Sequence, residues 1–156
     1  VTVVLVTHDQ DEAFVAADRI AVMNDGELHQ VATAQDLYYR PATRFVAQFV
    51  GVANFVRGER RGNAIATPLG EFEAVAPSTG AVDVLLRPEQ IEIASDGMPA
   101  TVTEREFHGH DWMYTLTHAE GGAMRIVAPS GRPLEVGDRV HLRARDRAVP
   151  AFGAED

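Results

Sequence analysis

The chain has 156 residues, enough for one ordinary domain or two small ones. Its formal net charge of -9 argues against a protein that tracks nucleic-acid phosphates, because such proteins set basic side chains against the backbone. No apolar run reaches the roughly 20 residues needed to cross a bilayer, and the absence of cysteine excludes disulfides and thiolate metal sites.

Residues 1–6 (VTVVLV) are an almost unbroken β-branched and aliphatic run, the pattern of a strand buried on both faces of a parallel sheet. Thr7, His8 and Asp9 follow at its carboxyl end. Asp9 can cap a helix with Glu12 as the reciprocal acid three residues on, and the tip of such a strand is where open α/β sheets place ligand-contacting groups. A short helix is expected over 10–17, with Ala13, Phe14 and Ala17 inward. Strands at 20–23 and 28–31 should pair as a hairpin around Asp25-Gly26, since glycine accepts positive φ. Thr33 and Asp36 offer a second capping box for a helix that Pro41 must end. A third helix is expected from Thr43, with Phe45, Val46, Phe49 and Val50 on one side and Gly51 as its stop.

THDQDEA at 7–13, ADRIAVMNDGEL at 17–28 and QVATAQDLYYRPATRFVAQFVG at 30–51 resemble the switch-histidine loop and the segment after it in the ATP-binding subunits of ABC transporters. Ala32 and Ala34 depart from the glycine and proline common there. The resemblance implies that His8 is the switch histidine, touching the γ-phosphate of ATP and helping to place the attacking water. It also implies ATP and Mg2+ as cofactors of the intact parent. No Gly-x-x-x-x-Gly-Lys-Ser/Thr loop, LSGGQ-like signature or Walker B carboxylate pair occurs in the sequence, and a phosphate cradle needs that glycine-rich backbone. The expectation is therefore the C-terminal piece of a longer ATPase, itself without a bound cofactor and unable to hydrolyse ATP.

From Asn54 the texture changes to short runs rich in Val, Ile, Leu and Thr, separated by turns at 62–63, 69–70, 95–97, 120–122 and 137–138. That spacing signals a small all-β barrel or sandwich, with strands expected at 55–60, 64–67, 82–87, 100–108, 113–118, 123–128 and 139–144. Alternation places Trp112, Tyr114 and Leu116 inward. VDVLLRPEQIEI, the Phe107-to-Gly109 step and VGDRVHL resemble, in that order, the transport-associated OB (TOBE) domain of importer ATPases. Arg87, Pro88 and Glu89 form its most recognisable phrase. Pro88 ends a strand by removing a ladder donor, and Arg87 with Glu89 can fix the loop beyond it. The fold class expected is α+β and mostly β: the C-terminal edge of a RecA-like α/β ATPase domain over residues 1–52, then an OB-like all-β domain over 53–156.

Other constellations have plainer readings. Asp9, Asp11 and Glu12 complement the dipole of a first helical turn, so no metal is assigned to them. His108, His110 and Asp111 look superficially like a two-histidine, one-carboxylate iron site, yet Gly109 and the Asp111-Trp112 step favour a bend between strands. No metal site is assigned there either. A neutral imidazole such as His8 can donate one N–H to a phosphate oxygen while a neighbour holds its other nitrogen.

The resemblance implies a subunit that couples ATP hydrolysis to solute import, cytoplasmic and peripheral on the inner face of the cell membrane. Its implied partners are a second copy, transmembrane permease subunits and an extracytoplasmic solute-binding protein, with no nucleic acid and no insertion of its own. TPLGEF at 67–72, RPEQI at 87–91 and FHGHD at 107–111 look most like ferric-iron importers; polyamine, thiamine and sugar importers share most of the rest. The alternative is a freestanding β-barrel that binds an anion or metal. An apolar strand ending at His8 would also leave unpaired edges, which predicts dimerisation, with exchanged elements as one route.

Overall fold

The computed structural model describes residues 2–74, 80–119, 121–129, 131 and 133–153. It divides into two compact units, Val1–Gly51 and Val52–Asp156.

In the first unit, helix α1 (Gln10–Ala16) starts where Asp9 accepts from the Glu12 backbone N–H. Strands β1 (Ile20–Asn24) and β2 (Glu27–Ala32) form an antiparallel hairpin. Its turn puts Asp25 at φ 49° and Gly26 at φ 80°, and two positive φ values in a row give the strand-matching twist of a tight hairpin. Helices α2 (Ala34–Tyr39) and α3 (Arg44–Phe49) are capped by Thr33 and Thr43, whose hydroxyls accept from the Asp36 and Val46 amides. In the first of these caps the Asp36 carboxylate accepts from the Thr33 hydroxyl, a local variation on the box expected there. Val22, Leu37, Val46 and Val50 make the core, with Phe14, Ile20, Ala32, Tyr38 and Phe45 against it.

The expected strand over residues 1–6 is corrected. Residues 2–6 form no strand, and Val3, Val4 and Val6 are 82%, 85% and 92% exposed. A parallel-sheet strand exists by virtue of neighbours on either side, and none lies alongside among the described residues. Val1 and Glu120, which fall within an expected strand and an expected turn, lie outside the described residues.

The second unit is all-β and OB-like, and every paired strand in it is antiparallel. One sheet contains β3 (Asn54–Arg61), β4 (Ala64–Thr67), β5 (Gly70–Glu73), β6 (Gly80–Leu86) and β12 (Ala151–Gly153), in the order β12-β6-β3-β4-β5. The other contains β7 (Ile91–Ala94), β8 (Met98–Phe107), β9 (Asp111–His118), β10 (Ala123–Pro129) and β11 (Arg139–Ala144), in the order β10-β9-β8-β11-β7. A 3-10 turn, Pro88–Gln90, joins the sheets and begins at the proline that ends β6. Inward residues of both sheets merge into one core. Val56, Ile65, Phe72, Val84 and Leu86 meet Val102, Tyr114, Leu116, Ile126 and Leu142. Burying each such side chain contributes about 1.5–3 kcal/mol, and this shared core holds the outer faces of the strands in place.

Candidate functional site

His8 sits in a bend between residues 2–7 and α1, exposed to solvent. The bend is fixed around it. The Asp9 amide donates to Thr7 Oγ1 at 3.0 Å, and the Gln10 side-chain amide donates to the Phe49 carbonyl. Neither imidazole nitrogen has a hydrogen-bond partner among the described residues, so the ring is available to a ligand. An exposed imidazole just ahead of a helix is fitted to donate to a phosphate oxygen. Asp11 and Glu12 lie in the first turn of α1 as dipole-complementing acids,.

Two open clefts in the second unit are lined chiefly by strands β8, β9, β10 and β11. The first, about 420 Å³, is lined by Val52, Ala53, Asn54, Glu104, Glu106, Thr115, Ala123 and Arg125. Its chemistry follows from register. A shift between Val102 and Glu104 places Glu104 opposite Thr115, which in turn lies opposite Arg125. Residues opposite each other on antiparallel strands share a face, so carboxylate, hydroxyl and guanidinium stand in one row. Arg125 Nη2 reaches Glu106 Oε1 at 3.3 Å, while its Nε is buried without a hydrogen-bond partner among the described residues.

The second cleft, about 450 Å³, is lined by Pro99, Ala100, Thr101, Thr117, His118, Ala119 and Arg139. Arg139, Thr101 and Thr117 lie opposite one another across β11, β8 and β9. Among the described residues no carboxylate lines this cleft, and His118 Nδ1 is buried without a hydrogen-bond partner. It is a donor-rich surface suited to an anion.

Arg87 is 1% exposed. Its Nη1 donates to the Val52 carbonyl at 2.9 Å and its backbone amide to Gln90 Oε1 at 2.8 Å, so these two ties to the loop run through Val52 and Gln90. The histidines of FHGHD do not converge. His108 and Glu106 approach to 3.4 Å and His110 and Asp111 to 3.1 Å, on the bend that joins β8 to β9. Sequence reasoning passed over Asn54, Thr101, Glu104, Arg125 and Arg139. Strand register assembles these positions, and no local motif marks them.

Residues 84–152 match the TOBE domain family, so the second unit carries a transport-associated OB domain. Three relatives extend the comparison over both units. The spermidine/putrescine import ATP-binding protein of Pseudomonas aeruginosa is 37% identical over 145 residues, 84% of this chain and 39% of its own length. The Fe(3+) ions import ATP-binding protein of Streptomyces coelicolor is 37% identical over 157 residues, 98% of this chain and 40% of its own. The sulfate/thiosulfate import ATP-binding protein of Yersinia pseudotuberculosis is 38% identical over 122 residues, 74% of this chain and 34% of its own. The chain belongs to the family of ABC-importer ATP-binding proteins, matching the part that bears the TOBE domain. It spans about two fifths of the length of the relatives it matches.

Proposed function

We propose that this chain is the C-terminal part of the ATP-binding subunit of an ABC importer, with His8 as its switch histidine. The observation that carries the reading is the match to import ATP-binding proteins across both units, together with an exposed imidazole at the bend before α1 that has no hydrogen-bond partner among the described residues. ATP with Mg2+ would supply the reactive phosphoryl group, held by a phosphate loop that this sequence does not contain. His8 contributes a donor to the terminal phosphate and orients water there. The subunit then works as a homodimer under transmembrane permease subunits, with an extracytoplasmic binding protein delivering the solute. On this reading the subunit works in the cytoplasm at the inner membrane face. No helix among the described residues is long and apolar enough to cross a membrane.

Ferric iron is the solute we favour. The phrases at 67–72, 87–91 and 107–111 support it. The test joins this chain to an N-terminal ATPase half that includes a phosphate loop, assembles it with its permease, and measures ATP turnover and solute uptake. His8→Ala should abolish turnover while nucleotide binding persists, and uptake should follow ferric iron ahead of spermidine or sulfate. Full turnover in His8→Ala removes the switch role, and uptake of another solute removes iron.

The donor-lined cleft of Thr101, Thr117, Arg139 and His118 favours a second reading, a ligand-binding β module that takes an anion. Calorimetry of the chain with molybdate, ferric citrate and spermidine tests it. Heat with an anion that disappears in Arg139→Ala supports the reading; no heat with any of the three removes it.

A further inference from the structure

Two polar side chains of the second unit are buried and bonded to backbone groups. Asn54 is 6% exposed and Arg87 1%. The Asn54 carboxamide accepts from the Arg125 amide at 2.7 Å and donates to the Arg125 carbonyl at 2.8 Å and to the Leu86 carbonyl at 3.2 Å. β10 is the end strand of its sheet. One amide side chain therefore satisfies both backbone groups of Arg125 on the free edge, as the residue of a neighbouring strand would. Two residues before Asn54, the Val52 carbonyl takes the Arg87 guanidinium. Segments at 52–54, 86–90 and 125 are thus tied in one buried knot, where every unmade bond leaves a desolvated polar group.

We propose that Asn54 and Arg87 form a clasp that builds residues 52–54 into the barrel wall and closes the free edge of β10, so that release of one end releases the other. The first cleft lies on this clasp, since Val52, Ala53 and Asn54 line one side of it and Arg125 with Glu106 the other. A group lodged there touches both jaws. Asn54 and Arg87 act through backbone groups and are positioning residues.

Amide hydrogen exchange on the whole chain tests the coupling. Arg87→Met removes the bond to Val52 and leaves Asn54 and β10 unaltered in sequence. It should speed exchange at the Arg125 amide by roughly tenfold or more, while the Val102 and Leu116 amides of the same sheet keep their protection. An unchanged Arg125 amide would overturn the proposal, because the two fixtures would then be independent. A uniform rise across the unit would overturn it equally, because the loss would be global. Should Arg87→Met not fold, native-state exchange of the unaltered chain in rising urea decides. The Arg125 and Arg87 amides should open along one common isotherm, and separate isotherms sink the coupling.

Discussion

Removal of a single oxygen, Tyr114→Phe, tests how the loop between β10 and β11 is held to the barrel. Tyr114 is 1% exposed, and its hydroxyl accepts from the Leu134 amide at 3.0 Å. Phenylalanine keeps the ring in the core and its stacking on Trp112, whose centroid lies 6.1 Å away, so no cavity opens. What is lost is one neutral hydrogen bond, with the Leu134 N–H left unpaired. A net bond of this kind contributes about 1 kcal/mol, and an orphaned buried donor costs about 1–3 kcal/mol. Leu134 is only partly buried, so water can reach its amide and the lower end applies. Other ties remain, including Arg105 Nη1 to the Leu134 carbonyl at 3.1 Å and to Glu135 Oε1 at 2.6 Å. The expected loss is about 1 kcal/mol, or a fall in Tm of about 4–5 °C for a unit the size of residues 52–156,. Trp112 is the only tryptophan, so its fluorescence in a urea titration follows the second unit alone. A loss above about 3 kcal/mol would mean that the hydroxyl anchors more than one amide. A loss below about 0.3 kcal/mol would mean that the bond is not made in solution.

Gly97→Ala should cost more, about 2–4 kcal/mol: Gly97 has φ +124°, and an added Cβ would stand 2.4 Å from the Leu142 carbonyl oxygen. Thermal melting reads this, and an unchanged midpoint refutes the close approach. Asp9→Ala removes the cap of α1 at about 1 kcal/mol. Because α1 buries no residue fully, the loss should appear as faster exchange of the α1 amides with the unit's melting unaltered; a fall in overall stability would show that the cap supports more than its own helix. The chain alone should show no ATP turnover above background, since it carries no phosphate loop; measurable turnover that His8→Ala abolishes would contradict that.

Where a local signal specifies structure, the chain could be read directly. Asp25-Gly26 fixed the hairpin, Asp9, Thr33 and Thr43 marked three helix starts, and β11 fell on residues 139–144 as expected. The strands passed over are the short ones. β5 and β7 have four residues each and β12 has three; β4 is equally short at four but was legible through the turns on either side of it. β12 owes its existence to β6, far back in the chain. Residues 1–6 have the composition of a buried strand, but composition cannot supply the neighbours a ladder requires. His8 was legible through its surroundings, whereas the cleft rows depend on a shift at Val102/Glu104 that no linear pattern encodes.

The uncovered valines near the start of the chain also bear on handling. A β-branched, uncharged stretch left in water matches the composition of segments that interlock dry in amyloid-like stacks. Concentrated stocks of this chain should therefore turn cloudy with time and develop thioflavin fluorescence. Replacing Val4 with glutamate should keep them clear without touching the barrel.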